Sequence, residues 1–247
     1  MSRPRFIVPA LPAAGERVSL PEEERRHFRS RRIAPGDAVV LIDGTGAEAD
    51  AEILPGSPGA PVLAGILEIR PGKERDSAVW LGVCAVRPER LAWVAEKAGE
   101  LGVARLAIVL SERAQSFRGG PGTVARLDRL AREAAKQSGE TRWMQCEGPV
   151  TFAHALASAP GAFRGLIDFS GEDFPRSGIP DSAALLLGPE GGWTPAELDA
   201  ARSAKWRSLR LPTPTLRTET AAIAALVLTR AGMREPVRFL SEPGAES

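Results

Sequence analysis

The sequence has few of the residues that most often carry redox, metal or hydrolytic chemistry. Its 247 residues include two cysteines, two histidines and no tyrosine. Cys84 and Cys146 do not have the spacing of a metal site, and nothing else suggests an oxidising compartment. His27 and His154 are too few for a histidine-rich metal site or a serine–histidine hydrolase. We therefore expect no bound metal.

The sequence also lacks long apolar runs and a strong net charge. No stretch approaches the roughly 18 to 20 apolar residues of a membrane span, and Pro4, Pro9 and Pro12 interrupt the N-terminus, which does not resemble a signal peptide. The net charge is +1, so any nucleic-acid binding must come from a local patch. With 43% apolar residues, we expect a soluble, cytoplasmic protein with a substantial core and no membrane partner.

The chain divides into two regions with different hydrophobic patterns. The first contains short β-like runs at residues 38–43, 47–54 and 62–69. Turn residues separate these runs, which predicts a small antiparallel barrel or sheet. A polar, turn-rich segment follows, as in a linker. We therefore predict one domain over residues 1–72 and a second over residues 73–247.

The second region alternates apolar strands with helical patterns, which is typical of an α/β domain with a parallel sheet. Thr123 is suited to cap one helix, and Thr194 and Glu197 form a capping box at the start of another. The last helix, from about residue 219 to 231, is apolar on nearly all sides, which implies burial on more than one face. Strands are predicted at residues 78–86, 105–110, 166–170 and 184–188, and a further helix at residues 89–101.

A glycine-rich turn follows the strand at residues 184–188. It contains Gly188, Gly191 and Gly192, together with Pro189 and Glu190. Glycine permits positive φ or the close approach of a ligand, and ligands of open α/β sheets collect at the carboxyl ends of strands. The turn has neither the GxGxxG spacing nor the Lys-Ser/Thr pair of a phosphate loop. Both a ligand-binding turn and a plain strand-to-helix connector fit this pattern.

A second segment, residues 209–221, predicts a short strand, a loop stiffened by proline and the start of the last helix. Thr218 suits the helix cap, and Glu219 suits the positive end of the helix. Two interpretations stay open. Arg217 and Glu219 belong either to a functional loop or to an ordinary helix start with an exposed arginine beside it.

An arginine-rich run near the N-terminus predicts a local RNA-binding patch. Arginine matches phosphate and stacks on bases. The alternative is a solvated charged face, since acidic residues 22–24 directly precede the run and can neutralise it. The arginines are Arg25, Arg26, Arg29, Arg31 and Arg32.

In their order along the chain, several segments resemble the RsmE family of the knotted SPOUT methyltransferases. GPEGG at residues 188–192 and LRTETA at residues 216–221 resemble that family's pair of loops. The resemblance covers roughly residues 25–225. Shorter matches are the helix end at residues 97–103, SER at 111–113, QSG at 137–139, and the histidine-arginine, PGD and DG segments between residues 27 and 44.

This resemblance implies an α/β SPOUT domain with a deep trefoil knot at about residues 185–231, preceded by a PUA-like or OB-like β-barrel that binds RNA. It also implies a homodimer and the cofactor S-adenosyl-L-methionine. The implied reaction is methylation of a uridine at N3 in helix 44 of 16S rRNA, near the decoding region, with the small ribosomal subunit as the partner.

The resemblance also implies which residues form the site. Glycines allow the cofactor to approach the backbone, and leucines supply an apolar wall. Because the uracil N3 proton must leave, Arg217 is expected to stabilise the anion, and either Glu190 or Glu219 to accept the proton. The expected cofactor-binding residues are Leu187, Gly188, Pro189, Glu190, Gly191, Gly192, Leu211, Leu216, Arg217 and Thr218.

The sequence departs from the family pattern in three places. Ser30 and Arg31 replace apolar residues, Glu140 replaces an arginine, and Pro212 replaces a glycine and so removes an N–H from the cofactor loop. Two alternatives therefore stay open. One is a knotted methyltransferase that acts elsewhere, such as on a ribose 2′-hydroxyl, although the LRTETA segment argues against it. The other is a non-catalytic RNA-binding relative, which Pro212 keeps open.

Overall fold

A computed structural model describes residues 3–57, 59–72, 78–84, 86–114 and 122–233. The N-terminal part forms a five-stranded sheet with strand order β1-β3-β4-β5-β2, in which β1 and β3 are parallel and the other neighbours antiparallel. The three predicted strands are confirmed as β3, β4 and β5. The elements are β1 (Arg5–Ile7), β2 (Arg17–Ser19), α1 (Glu22–Ser30), β3 (Ala38–Ile42), β4 (Ala47–Ile53) and β5 (Leu63–Pro71).

The remaining strands form a parallel sheet of six, with strand order β11-β9-β10-β6-β7-β8. Its two faces are covered by separate apolar clusters, as expected for an α/β domain. The predicted fold class is confirmed. The elements are β6 (Ala78–Cys84), α2 (Pro88–Glu100), β7 (Arg105–Leu110), α3 (Gly122–Ser138), β8 (Gln145–Thr151), α4 (Phe152–Ser158), β9 (Phe163–Asp173), β10 (Ser182–Leu187), α5 (Pro195–Ser203), β11 (Arg207–Arg210) and α6 (Thr218–Met233).

Of the three helix caps predicted from the sequence, one is confirmed and two are wrong. The capping box is confirmed, since Thr194 accepts from the Glu197 amide and the Glu197 side chain accepts from the Thr194 amide. Thr123 is not a cap, because Gly122 before it is already helical, whereas a capping residue has non-helical backbone angles. Thr218 also lies inside its helix. The first helical bond of α6 runs from the Ala221 amide to the Arg217 carbonyl, so Arg217 is the capping residue.

Helix α6 is fully buried on one face. Apolar residues beside that face also pack partly against the core, so the predicted burial on more than one face is confirmed in part. They are Ala221, Ile223, Ala224 and Leu228. The opposite face of α6 keeps apolar side chains in partial contact with solvent, and Val227 is 49% exposed. Within the described ranges, no helix has both the length and the apolarity to cross a bilayer. The buried residues of α6 are Thr218, Ala222, Ala225, Leu226, Thr229 and Gly232.

The boundary predicted after residue 72 lies between β5 and β6, and residues 73–77 fall outside the described ranges. The segment expected to form the trefoil knot, from about residue 185 to 231, contains β10, α5, β11 and most of α6. Both the domain division and the knot stay predictions.

The two sheets are joined by a buried ion pair and by close glycine contacts. Lys136 of α3 donates to both carboxylate oxygens of Glu24 on α1, at 2.9 and 3.3 Å, and the two side chains are 5% and 7% exposed. Gly44 in the β3–β4 turn lies against the ring of Trp143, where a Cβ atom would come within 2.3 Å of the ring. The ion pair ties α1 to α3, and the glycine contact ties the β3–β4 turn to the segment before β8.

Candidate active site

A cavity of about 520 Å³ opens at the carboxyl ends of β10 and β11, where β9 leaves its pairing with β10. Its walls are residues 167–169 of β9, the glycine-rich turn after β10, the loop after β11 and the first turn of α6. This position is the one that open α/β sheets use for ligands, because the loops that leave neighbouring parallel strands meet there.

The cavity brings together the two sequence segments singled out above. Every predicted cofactor-binding residue except Gly191 lines it. Gly191 lies beside Arg113, which donates to its carbonyl oxygen at 2.9 Å. The lining residues from the predicted set are Leu187, Gly188, Pro189, Glu190, Gly192, Leu211, Leu216, Arg217 and Thr218.

Two hydrogen bonds fix the walls of the cavity to one another. The Thr218 hydroxyl donates to the Gly188 carbonyl at 3.0 Å, which ties the start of α6 to the glycine turn. The Trp193 indole N–H donates to the Ile167 carbonyl at 2.9 Å, which ties the same turn to β9. A Cβ atom at Gly188 would lie 3.0 Å from the Trp193 ring, so this position favours glycine.

The segment SER at residues 111–113 stabilises the glycine-rich turn through hydrogen bonds to its backbone. Arg113 donates to the carbonyls of Gly191 and Trp193, at 2.9 and 3.2 Å. The Glu112 amide donates to the Glu197 carboxylate at 2.9 Å. The sequence resemblance includes this segment without giving it a role, and the structure shows that it positions the turn.

The cavity has an apolar floor and a charged mouth. Leu187, Trp193 and Leu211 are buried and form the floor. Three charged residues and one aromatic residue are among the exposed residues of the mouth. The exposed lining residues are Phe169, Glu190, Arg210, Thr213, Pro214, Thr215 and Arg217. An apolar ligand portion is therefore favoured inside, and charged or polar portions are favoured at the mouth.

The Arg217 guanidinium is available to a ligand. Among the residues that the structure describes, none forms a hydrogen bond or an ion pair with it, although its charge helps to lower the pKa of Glu190. Its backbone caps α6, which fixes the residue while its side chain stays exposed. Within the described residues, the Arg217 side chain therefore does not stabilise the loop through hydrogen bonds to backbone carbonyls.

Arg90, which the sequence analysis did not identify, contacts both candidate proton acceptors, Glu190 and Glu219. It donates to Glu190, and its Nε lies 3.5 Å from Oε1 of Glu219. The bond from Arg90 lowers the pKa of Glu190, so this carboxyl stays ionised and is a weaker base than an ordinary glutamate. Glu219 is not among the residues that line the cavity. The signal in the sequence was a basic residue in the first turn of α2, where the helix dipole disfavours a cation.

A bulge in β9 adds a wall that the sequence did not indicate. Leu166 pairs with Ser208 of β11, but Glu172 pairs with Leu209, so residues 167–171 leave this ladder. A Cβ atom at Gly171 would lie 2.6 Å from the Leu209 nitrogen. The bulge can therefore pack against β11 only with glycine at this position. Asp168 and Phe169 in the bulge both line the cavity.

Pro212 does not line the cavity and is exposed. The Thr213 amide donates to the Leu211 carbonyl at 2.8 Å, which makes a three-residue turn centred on Pro212. The fixed φ of proline suits the central position of such a turn. This departure from the family pattern therefore shapes the loop without occupying the cavity.

The arginine-rich run lies on α1 and directly after it. Arg25 is half-buried and donates to Glu22 and to the Leu20 carbonyl, at 2.7 and 3.2 Å, so its guanidinium is already engaged. The Ser30 hydroxyl donates to the His27 carbonyl at 2.7 Å, which suits a polar residue at the end of the helix. The exposed arginines are Arg26, Arg29, Arg31 and Arg32.

Comparison with known proteins agrees with this architecture. A family model described as an RNA methyltransferase domain matches residues 73–230, and one described as an RNA methyltransferase PUA domain matches residues 20–60. Ribosomal RNA small subunit methyltransferase E of Synechocystis sp. is 26% identical over 211 residues, which are 81% of this chain and 68% of that protein.

Solved structures show the same fold over nearly the whole chain. Ribosomal RNA small subunit methyltransferase E from Neisseria gonorrhoeae, bound to S-adenosyl methionine, is 26% identical with a TM-score of 0.82, covering 93% of this chain and 97% of that chain. Lpg2936 from Legionella pneumophila, in complex with the bound cofactor SAM, is 24% identical with a TM-score of 0.84, covering 94% and 98%.

Proposed function

This chain belongs to the RNA methyltransferase family, and we propose that it transfers a methyl group from S-adenosylmethionine to ribosomal RNA. One observation carries the proposal: the two segments that resemble the RsmE cofactor loops, distant in sequence, line a single cavity of about 520 Å³. The Synechocystis and Neisseria relatives support the proposal, since both are named as ribosomal RNA methyltransferases and the Neisseria protein is bound to S-adenosyl methionine.

The cavity fits this cofactor in size and in chemistry. Its volume lies within the roughly 300 to 1,000 Å³ of small-molecule sites. The buried leucines of the floor suit the adenine ring and the methionine chain, and the Asp168 carboxylate suits a ligand with cationic groups. When bound, the cofactor supplies an already activated methyl group, so the protein mainly positions the reactants.

The finer proposal is methylation at N3 of a uridine in helix 44 of 16S rRNA, which the resemblance to the RsmE family supports. As the N3 proton leaves, negative charge spreads onto the uracil oxygens, and a fixed cation stabilises it. Arg217 is the exposed cation of the cavity without a partner among the described residues. Glu190 lines the cavity, so we propose it rather than Glu219 as the proton acceptor. Its lowered pKa makes it a weak base, and we therefore assign most of the acceleration to Arg217.

Mapping the modified nucleotide tests the reaction directly. We expect rRNA from a deletion strain to lack one N3-methyluridine in 16S rRNA, and the wild-type gene to restore it. A lost methyl on a ribose 2′-hydroxyl would favour the other knotted chemistry. An unchanged modification pattern, together with no heat of S-adenosylmethionine binding in calorimetry, would favour a non-catalytic RNA-binding relative.

The cofactor placement predicts different effects at neighbouring glycines. Gly192 lines the cavity with φ +68°, and no atom lies within 4 Å of a Cβ there, whereas a Cβ at Gly191 makes only ordinary contacts with Arg113. We expect Gly192→Val to weaken cofactor binding by about fivefold or more. Overfilling a site typically costs about 1–3 kcal/mol, and a β-branched residue is also strained at this positive φ. Gly191→Val, at a neighbouring glycine without a positive φ, is the control and should change the affinity little. Calorimetry on both folded variants checks this, and equal affinities would contradict the placement.

The exposed arginines of the N-terminal region predict a salt effect on RNA binding. Replacing Arg29 and Arg32 with glutamine should reduce the slope of log K against log salt by about 1.4 to 1.8, since each phosphate contact contributes roughly 0.7 to 0.9. Arg25→Gln should have a smaller effect, because Arg25 is engaged with Glu22 and Leu20. Filter binding of 16S rRNA at several salt concentrations measures the slope. An unaltered slope in the double variant would show that neither arginine contacts phosphate.

We further propose a homodimer that acts on the small ribosomal subunit, with residues 1–72 as the RNA-binding domain and residues 73–247 as the methyltransferase domain. The partly exposed apolar face of α6, including Val227, supports an interface between subunits. The end of β5 at Pro71 and the start of β6 at Ala78 support the division.

A further inference from the structure

Phe169 is a large apolar side chain left exposed at the mouth of a cavity. It is 64% exposed and lines the same cavity as Glu190 and Arg217. Isolated exposed apolar residues are ordinary on a protein surface. An aromatic ring at the rim of a ligand site is different, because an arriving flat group can cover it.

The bulge that carries Phe169 is firmly held. Gly171 packs directly on the backbone of β11, with no room for a side chain. On the other side of Phe169, the Asp168 carboxylate accepts from the Ser170 amide at 3.1 Å and from the Ser208 hydroxyl at 3.4 Å. The Ile167 carbonyl accepts from the Trp193 indole. The ring therefore projects from an anchored frame rather than from a free loop.

The contrast between the buried floor and the exposed mouth of the cavity indicates which ligand group contacts the Phe169 ring. The floor is buried and apolar, which suits the cofactor, whereas the mouth is where a nucleotide from solvent must enter. Phe169 and Arg217 both belong to the mouth. A base whose chemistry is done outside its helix must be unstacked, and proteins commonly hold such bases on aromatic side chains.

We propose that Phe169 is the stacking platform on which the target uracil rests while Arg217 faces its oxygens. This inference rests on the proposed function and assigns the substrate base to a specific side chain. The adenine of the cofactor is the competing partner for the ring, and the experiment below distinguishes the two. Stacking of usual strength corresponds to a change of about 5- to 150-fold in a binding or rate constant.

Three substitutions separate stacking from simple apolar contact. Phe169→Ala removes the ring, Phe169→Leu keeps apolar bulk without a flat face, and Phe169→Trp keeps a flat face. Because the side chain is mostly exposed, all three variants should fold. S-adenosylmethionine affinity is measured by calorimetry, and single-turnover methylation of 16S rRNA is measured at saturating cofactor.

We expect the alanine and leucine variants to lose about fivefold or more in the single-turnover rate constant at subsaturating RNA. The rate of the tryptophan variant and the cofactor affinities of all three variants should stay near wild type. A loss of cofactor affinity that matches the loss of rate would assign the ring to the cofactor instead. Wild-type rates in the alanine or leucine variant would also overturn the proposal. If the wild-type protein methylates no uridine, the proposed function itself fails, which is a separate outcome.

RNA binding gives a readout that does not depend on catalysis. A short RNA that contains the mapped uridine is compared with the same RNA carrying an abasic nucleotide at that position. The wild-type protein should prefer the uridine RNA by about fivefold or more, and Phe169→Ala should bind both RNAs equally. If Phe169→Ala prefers the uridine RNA as strongly as the wild-type protein does, the ring does not contact the target base.

Discussion

Replacing Arg217 with alanine is expected to lower the single-turnover rate of methyl transfer by about a hundred- to a thousand-fold, while S-adenosylmethionine still binds. The loss of one fixed donor to a developing oxyanion typically costs about 2.7–4 kcal/mol of transition-state stabilisation. A group that favours the charged transition state over the neutral ground state changes the rate more than the affinity. The rate is measured on 16S rRNA at saturating cofactor, and the affinity by calorimetry.

The structure supports this expectation more than the sequence alone. The Arg217 side chain lines the cavity and is exposed, and among the described residues none pairs with it. Its backbone carbonyl accepts the first hydrogen bond of α6, from the Ala221 amide at 2.8 Å. Since any residue supplies that carbonyl, alanine should preserve the helix start and remove only the guanidinium.

Lysine at the same position is the matched control. Arg217→Lys keeps the positive charge but loses the planar fork of donors, so it should recover only part of the rate. A near-normal rate in the alanine variant would remove Arg217 from the chemistry. A parallel loss of rate and cofactor affinity in that variant would make it a cofactor-binding residue, and attention would then turn to Glu190 and Glu219.

Replacing Lys136 with methionine is expected to lower the free energy of unfolding by about 3–5 kcal/mol at neutral pH. Lys136 and Glu24 are nearly completely buried and bonded to each other. Removing the lysine leaves a buried carboxylate without its charge partner. The loss should therefore far exceed that of Glu133→Gln, whose exposed side chain makes an i,i+3 pair with the same lysine. Chemical denaturation of the three proteins measures the difference.

Neutralising both partners should restore most of the stability. Glu24→Gln combined with Lys136→Met leaves no buried charge, and replacement of a whole buried pair is often close to neutral. If the double variant is as unstable as the single one, the loss comes from packing rather than from an uncompensated charge.

The pH dependence of Lys136→Met gives a further check. Burial already raises the pKa of Glu24 above the ordinary 4.5, and the bond and charge of Lys136 oppose this rise. Without the lysine the pKa rises further. A carboxyl whose pKa is raised by folding stabilises the folded state below its unfolded pKa, and this stabilisation is lost as pH rises through the folded pKa. The deficit of the variant should therefore shrink as pH falls from 7 towards 4.5, and a constant deficit would contradict this account.

The sequence determined those features that depend on neighbouring residues. Thr194 and Glu197 are three residues apart, so their capping box follows from local backbone geometry. Strands β7 and β10 follow from short apolar runs with turn signals at their ends, although β10 begins at Ser182, two residues before the predicted run. The two loops of the site were identified by composition and by resemblance, since their glycines and threonines are local features.

Local signals also misled where a distant contact prevailed. Thr218 has the residue type of a cap, but its hydroxyl instead donates to Gly188, 30 residues away. The run at residues 166–170 does lie in a strand, β9, as predicted, but its local pattern did not indicate that the pairing with β11 is interrupted by a bulge. The break depends on Gly171 packing against the backbone of a strand that follows much later, and no local pattern contains that information.

Only the tertiary structure decided which distant residues share the site. Arg90 lies 100 residues from Glu190, and Arg113 lies 78 residues from Gly191. These pairs meet because β10 lies beside β6, and β6 beside β7, in the parallel sheet, so the segments after these strands converge at one edge. The sequence sets the periodicity of each strand and helix through contacts between near neighbours. The strand order depends on how those elements pack together. That packing placed Phe169 in the lining of the cavity, and it placed Arg90 and Arg113 against Glu190 and Gly191 of the glycine-rich turn.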